Sequence, residues 1–296
     1  MKAGFIAVVG RPNVGKSTLM NKLVAEKVAI VSDKAGTTRD NIKGILNVQG
    51  KQYIFIDTPG IHKPKHLLGE YMTEIAIRSF KDADAILFLL DGTQEISTGD
   101  FFVWEKIKEA RKPVVVLVNK IDRISDQEME EKKAEIVEKL GDGLKVVFAS
   151  GMYSFGLARL LEALEEYLEE GIQYYPEDMY TDMSVYRMIT EIVREKILEK
   201  TRDEIPHSVA IEILNVAERK EAKDKFDINI YVERASQKGI LIGKNGKMLK
   251  EIGSEARKEI ESLLERKIYL TLWVKVKDDW RKKKPFLKEL GYSYEE

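Results

Sequence analysis

The chain has 296 residues, 44% of them hydrophobic and 33% charged, with a formal net charge of −1. That length suggests two domains, each able to bury a core of its own. The absence of cysteine excludes disulfide frameworks, thiolate zinc sites and a thiol nucleophile, and three histidines leave little for a metal cluster.

No apolar run approaches the roughly 18 residues a membrane span needs. The amino terminus enters an apolar strand without a signal-peptide pattern, so the expected location is the cytoplasm. Charge is unevenly spread. Residues 1–180 carry 24 basic and 28 acidic side chains, residues 181–296 carry 25 and 22, and residues 236–285 carry 14 and 7. The last stretch has the balance of a surface that faces a polyanion, although solvated helix faces give the same count.

The first 170 residues alternate short apolar runs with helical patterns, which predicts an α/β domain with a mostly parallel sheet. A strand at 5–9 runs into Gly10-Arg11-Pro12-Asn13-Val14-Gly15-Lys16-Ser17, the phosphate-loop pattern GxxxxGK[ST], and a helix follows at 16–25. Its glycines let backbone N–H groups, those of Val14 and Thr18 included, curl around phosphate oxygens at a helix amino terminus. Lys16 is expected to reach the β and γ phosphates and the Ser17 hydroxyl to bind Mg²⁺.

Residues 42–48 and 53–56 read as a hairpin around Gly50, and the second strand ends in Asp57-Thr58-Pro59-Gly60. An acidic residue there can hold Mg²⁺, and the Gly60 N–H can meet the γ-phosphate. Thr37 and Thr38 lie in the loop between. One of them, with Thr38 preferred, completes the Mg²⁺ shell when the γ-phosphate is present, so its loss would release the loop. His62 reads as switch-loop surface rather than as a base.

Helices at 69–81, 100–110, 126–139 and 156–169 alternate with buried strands at 85–90, 114–118 and 146–148. The strand at 114–118 leads into Asn119-Lys120-Ile121-Asp122. The Asp122 carboxylate can accept from guanine N1–H and N2–H₂, a donor pair that adenine lacks. Asn119 can brace the phosphate loop and bond the base, and the Lys120 stem can cover the base plane. Ala149-Ser150-Gly151, which ends the next strand, is placed to offer backbone N–H to guanine O6.

Residues 171–183 lose apolar periodicity and read as a linker. The order beyond is α-β-β-α-α-β, from a helix at 184–200 through strands at 209–216 and 226–232, a short helical piece, a helix at 248–264 and a strand at 268–276. Gly243-Lys244-Asn245-Gly246 opens the long helix after the apolar approach Gly239-Ile240-Leu241-Ile242. Alone, such a turn is weak as a signal. Trp273 alternates with strand core positions and is expected in the core, Trp280 is left open as a stacking platform, and residues 281–284 form a basic cluster.

The five nucleotide motifs, with Gly36-Thr37-Thr38-Arg39-Asp40 and Asp57-Thr58-Pro59-Gly60, resemble translation-factor-related phosphate-loop GTPases. Followed by an arrangement that resembles a type II KH domain, the whole chain resembles the Era-like family of bacterial ribosome-assembly GTPases. The resemblance implies a six-stranded, mostly parallel sheet in a GTPase domain at 1–170, a linker at 171–183 and an α+β type II KH domain at 184–296. It implies GTP and GDP as ligands with Mg²⁺ held by Ser17, Thr38 and Asp57, and catalysis by Lys16, Thr38 and Gly60.

It further implies a clamp on single-stranded RNA rather than DNA, built from Gly243, Lys244, Asn245, Gly246, Lys247 and Lys250 with Ile240 and Ile242 under the bases, and extended by Arg257 and Lys258. The RNA would be the 3′ region of 16S rRNA in the 30S subunit, and the protein a monomer. The family also allows peripheral association with the inner membrane. Ile61 stands where signalling GTPases carry a water-orienting glutamine, so slow intrinsic hydrolysis is expected. Asn13 matches an asparagine associated with bound K⁺ in related GTPases, and shaping of the loop is its other reading. Two rivals stay open: a constitutive RNA-binding scaffold whose nucleotide site is structural, and a GTPase whose second domain binds protein.

Overall fold

A computed structural model describes residues 1–34, 36–171, 173–217 and 223–292. Residue 35 of the expected switch loop, 172 of the expected linker, and 218–222 and 293–296 of the expected second domain lie outside the described residues. The chain forms two compact units, one of Met1–Pro64 with Met72–Met183 and one of Lys65–Tyr71 with Ser184–Glu296.

In the first unit β1 (Lys2–Val9), α1 (Lys16–Val24), β2 (Ile42–Val48), β3 (Lys51–Asp57), α2 (Leu67–Asp82, its residues up to Tyr71 counted with the second unit), β4 (Ala85–Asp91), α3 (Thr98–Ala110), β5 (Val114–Asn119), α4 (Asp126–Leu140), β6 (Lys145–Phe148) and α5 (Leu157–Glu165) follow one another. Strand order is β2-β3-β1-β4-β5-β6. Only the β2–β3 pair is antiparallel along that path. A seventh strand, β7 (Glu169–Glu170), adds antiparallel to β1. The helix expected to reach 169 therefore stops at Glu165, and the chain turns back to the sheet.

Strand residues alternate between two cores. Ile6, Val8, Phe55, Leu87, Leu89 and Leu117 pack with Leu19, Met20 and Leu23 of α1 and with Leu160 and Leu164 of α5. Ala7, Val9, Ile86, Phe88, Val116 and Val118 pack with Phe80, Val103, Trp104, Ile107 and Ile136 from α2, α3 and α4. Helices on both faces leave the carboxyl ends of the parallel strands as one open edge. The chain leaves β1 for β3 on one side and then returns for β4 on the other. That reversal opens a crevice at the end of β1, where open α/β sheets bind ligands.

Residues 173–183, expected as a free linker, are strapped to this sheet. Gln52, fully buried on β3, accepts from the N–H groups of Tyr174 and Tyr175 at 2.9 and 3.0 Å and donates to Tyr175 O at 2.8 Å. Ile45 N–H donates to Tyr180 O, and Lys43 pairs with Asp182 at 2.8 Å. In sequence, Gln52 looks like an outward polar residue of a strand.

The second unit contains α6 (Val185–Lys200), α7 (Ile205–Ser208), β8 (Ala210–Ala217), β9 (Asp224–Val232), α8 (Ala235–Ile242), α9 (Lys247–Leu263), β10 (Ile268–Val276) and α10 (Lys284–Glu289). Strand order is β10-β9-β8, with β10 parallel and β8 antiparallel to β9. One face of this sheet packs on α6, α8 and α9 through Ile189, Val193, Leu241, Ile252, Ala256, Ile260, Ile228, Ile230 and Ile268. Lys196–Glu259 and Lys200–Glu255 ion pairs tie α6 to α9.

Trp273 corrects the expectation of a core residue, and the open position of Trp280 is settled as buried. Trp273 is 54% exposed, whereas Trp280 is fully buried and donates its indole N–H to Ser208 O at 2.8 Å. The core parity of β10 belongs to Ile268, Leu270, Leu272 and Val274. Among the described residues, no helix is long and apolar enough to cross a membrane.

Replacing Gln52 with leucine leaves the Tyr174 and Tyr175 N–H groups unpaired and is expected to cost about 3 kcal/mol. Urea denaturation checks this, and an unchanged midpoint and slope contradict it.

Candidate functional site

The carboxyl ends of β1, β3, β5 and β6 converge on the crevice. After β1 the phosphate loop turns into α1 through Gly15, whose φ is +98° and whose missing Cβ would lie 2.4 Å from Asn119 Nδ2, so neither the backbone nor the space admits a side chain. Lys16 is buried, and its amine donates to Gly10 O at 3.2 Å and Arg11 O at 3.1 Å, across the loop. Burial lowers its pKa to about 8, with Asp57 opposing the shift.

Asp57, at the end of β3, is fully buried. Its Oδ2 accepts from Ser17 Oγ at 2.6 Å and from Thr38 Oγ1 at 3.2 Å, and the two hydroxyls lie 3.1 Å apart. Its Oδ1 is buried with no hydrogen-bond partner. Burial raises the carboxyl above its ordinary range, and Lys16, Ser17 and Thr38 offset part of that rise. A carboxylate, two hydroxyls and a buried oxygen lone pair left over form a hard oxygen donor set that suits Mg²⁺ completed by phosphate oxygens. The Thr37 hydroxyl goes instead to Lys34 O at 2.6 Å, so Thr38 is the threonine brought to Ser17 and Asp57.

Asn119 links the base-side loop to the phosphate loop. Its Nδ2 donates to Val14 O and its Oδ1 accepts from Gly151 N–H, both at 2.9 Å. Lys120 Nζ donates to Asn13 O at 2.9 Å. Asp122 accepts from Ser150 Oγ at 2.6 Å, which aims one carboxylate oxygen.

The expected N–H contacts to guanine O6 are not free. Ser150 N–H donates to Phe155 O, and Gly151 N–H goes to Asn119. In this structure Ser150 acts through its hydroxyl on Asp122, and Gly151 through the orientation of Asn119. The Asn13 amide donates to Asp33 O at 2.7 Å and ties the phosphate loop to the switch loop. Ile61 is fully buried in the apolar core. His62 Nδ1 rests on Gly60 O at 3.0 Å.

A cleft of about 340 Å³ runs along Gly15, Lys16, Ser17, Thr18, Thr38, Gly60 and Lys120. It is also lined by residues 31–34 and by Arg123. Of these, Asp33 and Lys34 fall in the expected switch segment 33–41, whereas Val31, Ser32 and Arg123 carry no motif signal beyond their position near the switch segment and Asp122.

In the second unit, Gly243 (φ +70°) and Asn245 (φ +52°) carry a left-handed turn between α8 and α9. A Cβ on Gly243 would meet Met248 Cβ at 2.7 Å. Lys244, Asn245, Lys247, Lys250, Arg257 and Lys258 are all exposed. At 100° per residue, the four basic positions on α9 fall within one third of its circumference. Ile240 is exposed, Ile242 and Leu249 half-buried, and Leu241 buried. The approach thus leaves apolar surface beside the turn while its neighbour holds the core. In the tail, Arg281 is engaged with Glu233 and Lys282 with Asp279, so these two do not form a free basic track.

The model of the 50S ribosome-binding GTPase family matches residues 5–120, and that of the KH domain matches residues 204–281. The chain is 75% identical over 296 residues to GTPase Era of Fusobacterium nucleatum subsp. nucleatum, covering 100% of both sequences. The chain belongs to the Era family of GTPases. Two solved Era structures are similar to it at 42% identity, covering 99% of this chain and 100% of theirs. One is a variant of Aquifex aeolicus Era bound to GDP.AlF4-, with a TM-score of 0.95. The other is Era in complex with MgGDPNP and nucleotides 1506–1542 of 16S ribosomal RNA, with a TM-score of 0.96. As an Era-family protein this chain is a GTPase with a carboxyl-terminal KH domain.

If Asp122 reads the guanine edge, Asp122→Asn weakens GTP binding by at least about 100-fold and moves preference toward xanthosine triphosphate. Competition titration with the two nucleotides measures this, and retained GTP preference removes Asp122 from that role.

Proposed function

We propose that this protein is a GTP-driven switch that binds the single-stranded 3′ region of 16S rRNA during maturation of the 30S subunit. The observation that carries the proposal is Asp57, which gathers the hydroxyls of Ser17 and Thr38 from two separate loops onto one carboxylate oxygen and keeps the other unpartnered. Ser17, Thr38 and Asp57 would hold Mg²⁺, which when bound neutralises charge developing on the β and γ oxygens. Lys16 supplies a buried cation to the same oxygens, and the Gly60 N–H meets the γ-phosphate. Water attacks that phosphorus and GDP and phosphate leave.

Ile61, locked in the core, offers no group to orient the water, which supports slow intrinsic turnover. When the γ-phosphate departs, Thr38 loses its reason to stay with Ser17, and residues 33–41 and 57–68 change order. The GxxG turn, its basic helix and the exposed Ile240 supply the RNA clamp. Support for the RNA comes from the Era structure that holds 16S nucleotides 1506–1542. We place the action on the 30S precursor in the cytoplasm, with a monomer as the working unit. Peripheral membrane contact is the family's further expectation.

RNA affinity measured with a non-hydrolysable GTP analogue is expected to exceed that with GDP by about 5- to 150-fold. The paired change Lys244→Asp and Asn245→Asp should abolish most binding in both states. Equal affinity in the two states favours the constitutive scaffold, and RNA binding that survives the paired change favours a protein-binding second domain.

A K⁺ role for Asn13 predicts faster hydrolysis in K⁺ than in Na⁺. Equal rates leave Asn13 as the loop tether seen in its bond to Asp33.

A further inference from the structure

β4 ends in Asp91, which belongs to none of the nucleotide motifs. Its side chain is almost sealed from solvent, and its Oδ2 receives Lys120 Nζ at 2.6 Å. The same amine donates to Asn13 O in the phosphate loop. Lys120 and Asn13 both hold left-handed backbone, with φ of +67° and +68°. That conformation is disfavoured for a residue with a side chain, more for lysine than for asparagine, and persists where the surroundings enforce it. The bridge from Asp91 through Lys120 to Asn13 joins these two strained residues.

The carboxylate is itself held. Asp91 Oδ1 accepts from Thr93 N–H at 3.0 Å and Thr93 Oγ1 at 2.7 Å. Gln94 Nε2 lies 3.4 Å from Oδ2, and Gln94 Oε1 accepts from Arg11 Nη2 at 2.6 Å. Arg11 Nε pairs at 3.1 Å with Asp100, which Ser97 fixes at the start of α3. A polar chain, Lys120–Asp91–Gln94–Arg11–Asp100, thus connects the base-side loop to the phosphate loop. Burial opposes ionisation of Asp91, but Lys120 and Thr93 outweigh it and hold the carboxyl below its ordinary range.

We propose that Asp91 is a positioning residue for the guanine nucleotide, holding the Lys120 stem over the base plane and clamping the base-side loop to the phosphate loop. It therefore sets how long nucleotide stays bound rather than how fast the γ-phosphate is cleaved. The inference rests on the nucleotide placement proposed above. Hydrolysis draws on Lys16, Thr38 and Gly60, and the recorded bonds of Asp91 go to none of them.

The test follows dissociation of fluorescent mant-GDP by stopped flow, together with steady-state KM and single-turnover hydrolysis at saturating GTP, in the full chain. Asp91→Asn is expected to raise the dissociation rate and the KM for GTP by about tenfold or more. Single-turnover hydrolysis stays within about twofold of the parent. Lys120→Met shows the same rise, and the double variant shows no more than the larger single effect, because both changes cut one bridge.

Gln94→Leu alters an exposed side chain that does not threaten the fold, and it raises the rate severalfold. It carries the test even if Asp91→Asn fails to fold. Parent-like dissociation in Asp91→Asn or in Gln94→Leu overturns the proposal, as do additive effects in the double variant or a hydrolysis rate that falls in step with KM. A parent protein that does not bind mant-GDP overturns the nucleotide placement instead.

Discussion

The nucleotide domain is organised around a carboxylate kept out of water. Asp57 has no solvent to stabilise its charge, and burial raises its pKa. What compensates must come from neighbouring chain segments, and three side chains from two of them provide it: Lys16 and Ser17 from the phosphate loop, and Thr38 from the loop before β2. Lys16 faces the opposite penalty, since burial lowers its pKa to about 8. Two buried groups of opposite sign, each under-stabilised alone, make a site whose electrostatics improve when a metal–phosphate ligand arrives. Thr38 joins this arrangement through its hydroxyl from a loop, whereas Ser17 is carried by α1.

The second unit repeats the theme of a glycine turn that opens a helix, with the polarity of its surroundings changed. At the phosphate loop the turn is packed against Asn119 and the cleft is deep. At Gly243 it projects between α8 and α9 with exposed lysines on either side. A compact pyrophosphate suits the first. An extended backbone with phosphates spaced along it suits the second, because the basic stripe continues along α9 for several turns.

Much of this was legible in the sequence because the motifs are local. The phosphate loop, Asp57 to Gly60, and Asn119 to Asp122 each sit at the end of an apolar run, and the fold brings those ends to one edge. Three things were not legible. The place of the tryptophans was one: Trp273, apolar enough to look like core, shares its face of β10 with Tyr269, Thr271 and Lys275, opposite Ile268, Leu270, Leu272 and Val274, and Trp280 lies outside any strand whose parity could place it. The carbonyl that takes the buried indole N–H of Trp280 lies 72 residues away. The strap at 173–183 was hidden because its anchor, Gln52, is a polar side chain in a strand, and only tertiary packing shows it buried. The occupied N–H groups of Ser150 and Gly151 depend on Phe155 and Asn119, and no spacing rule reports those bonds.

The strap has a consequence for self-association. β2 is the outermost strand of its sheet, a position whose unpaired backbone groups ordinarily invite another chain to add on. With Ile45 N–H already given to Tyr180 O, the Asn47 side-chain amide reaching Glu177 O, and the Lys43 amine paired with Asp182, an incoming strand finds part of that edge already covered. The segment that leads out of the nucleotide domain thereby shields part of an edge that could otherwise add a foreign strand, and mutations that loosen it should be sought among poorly soluble variants.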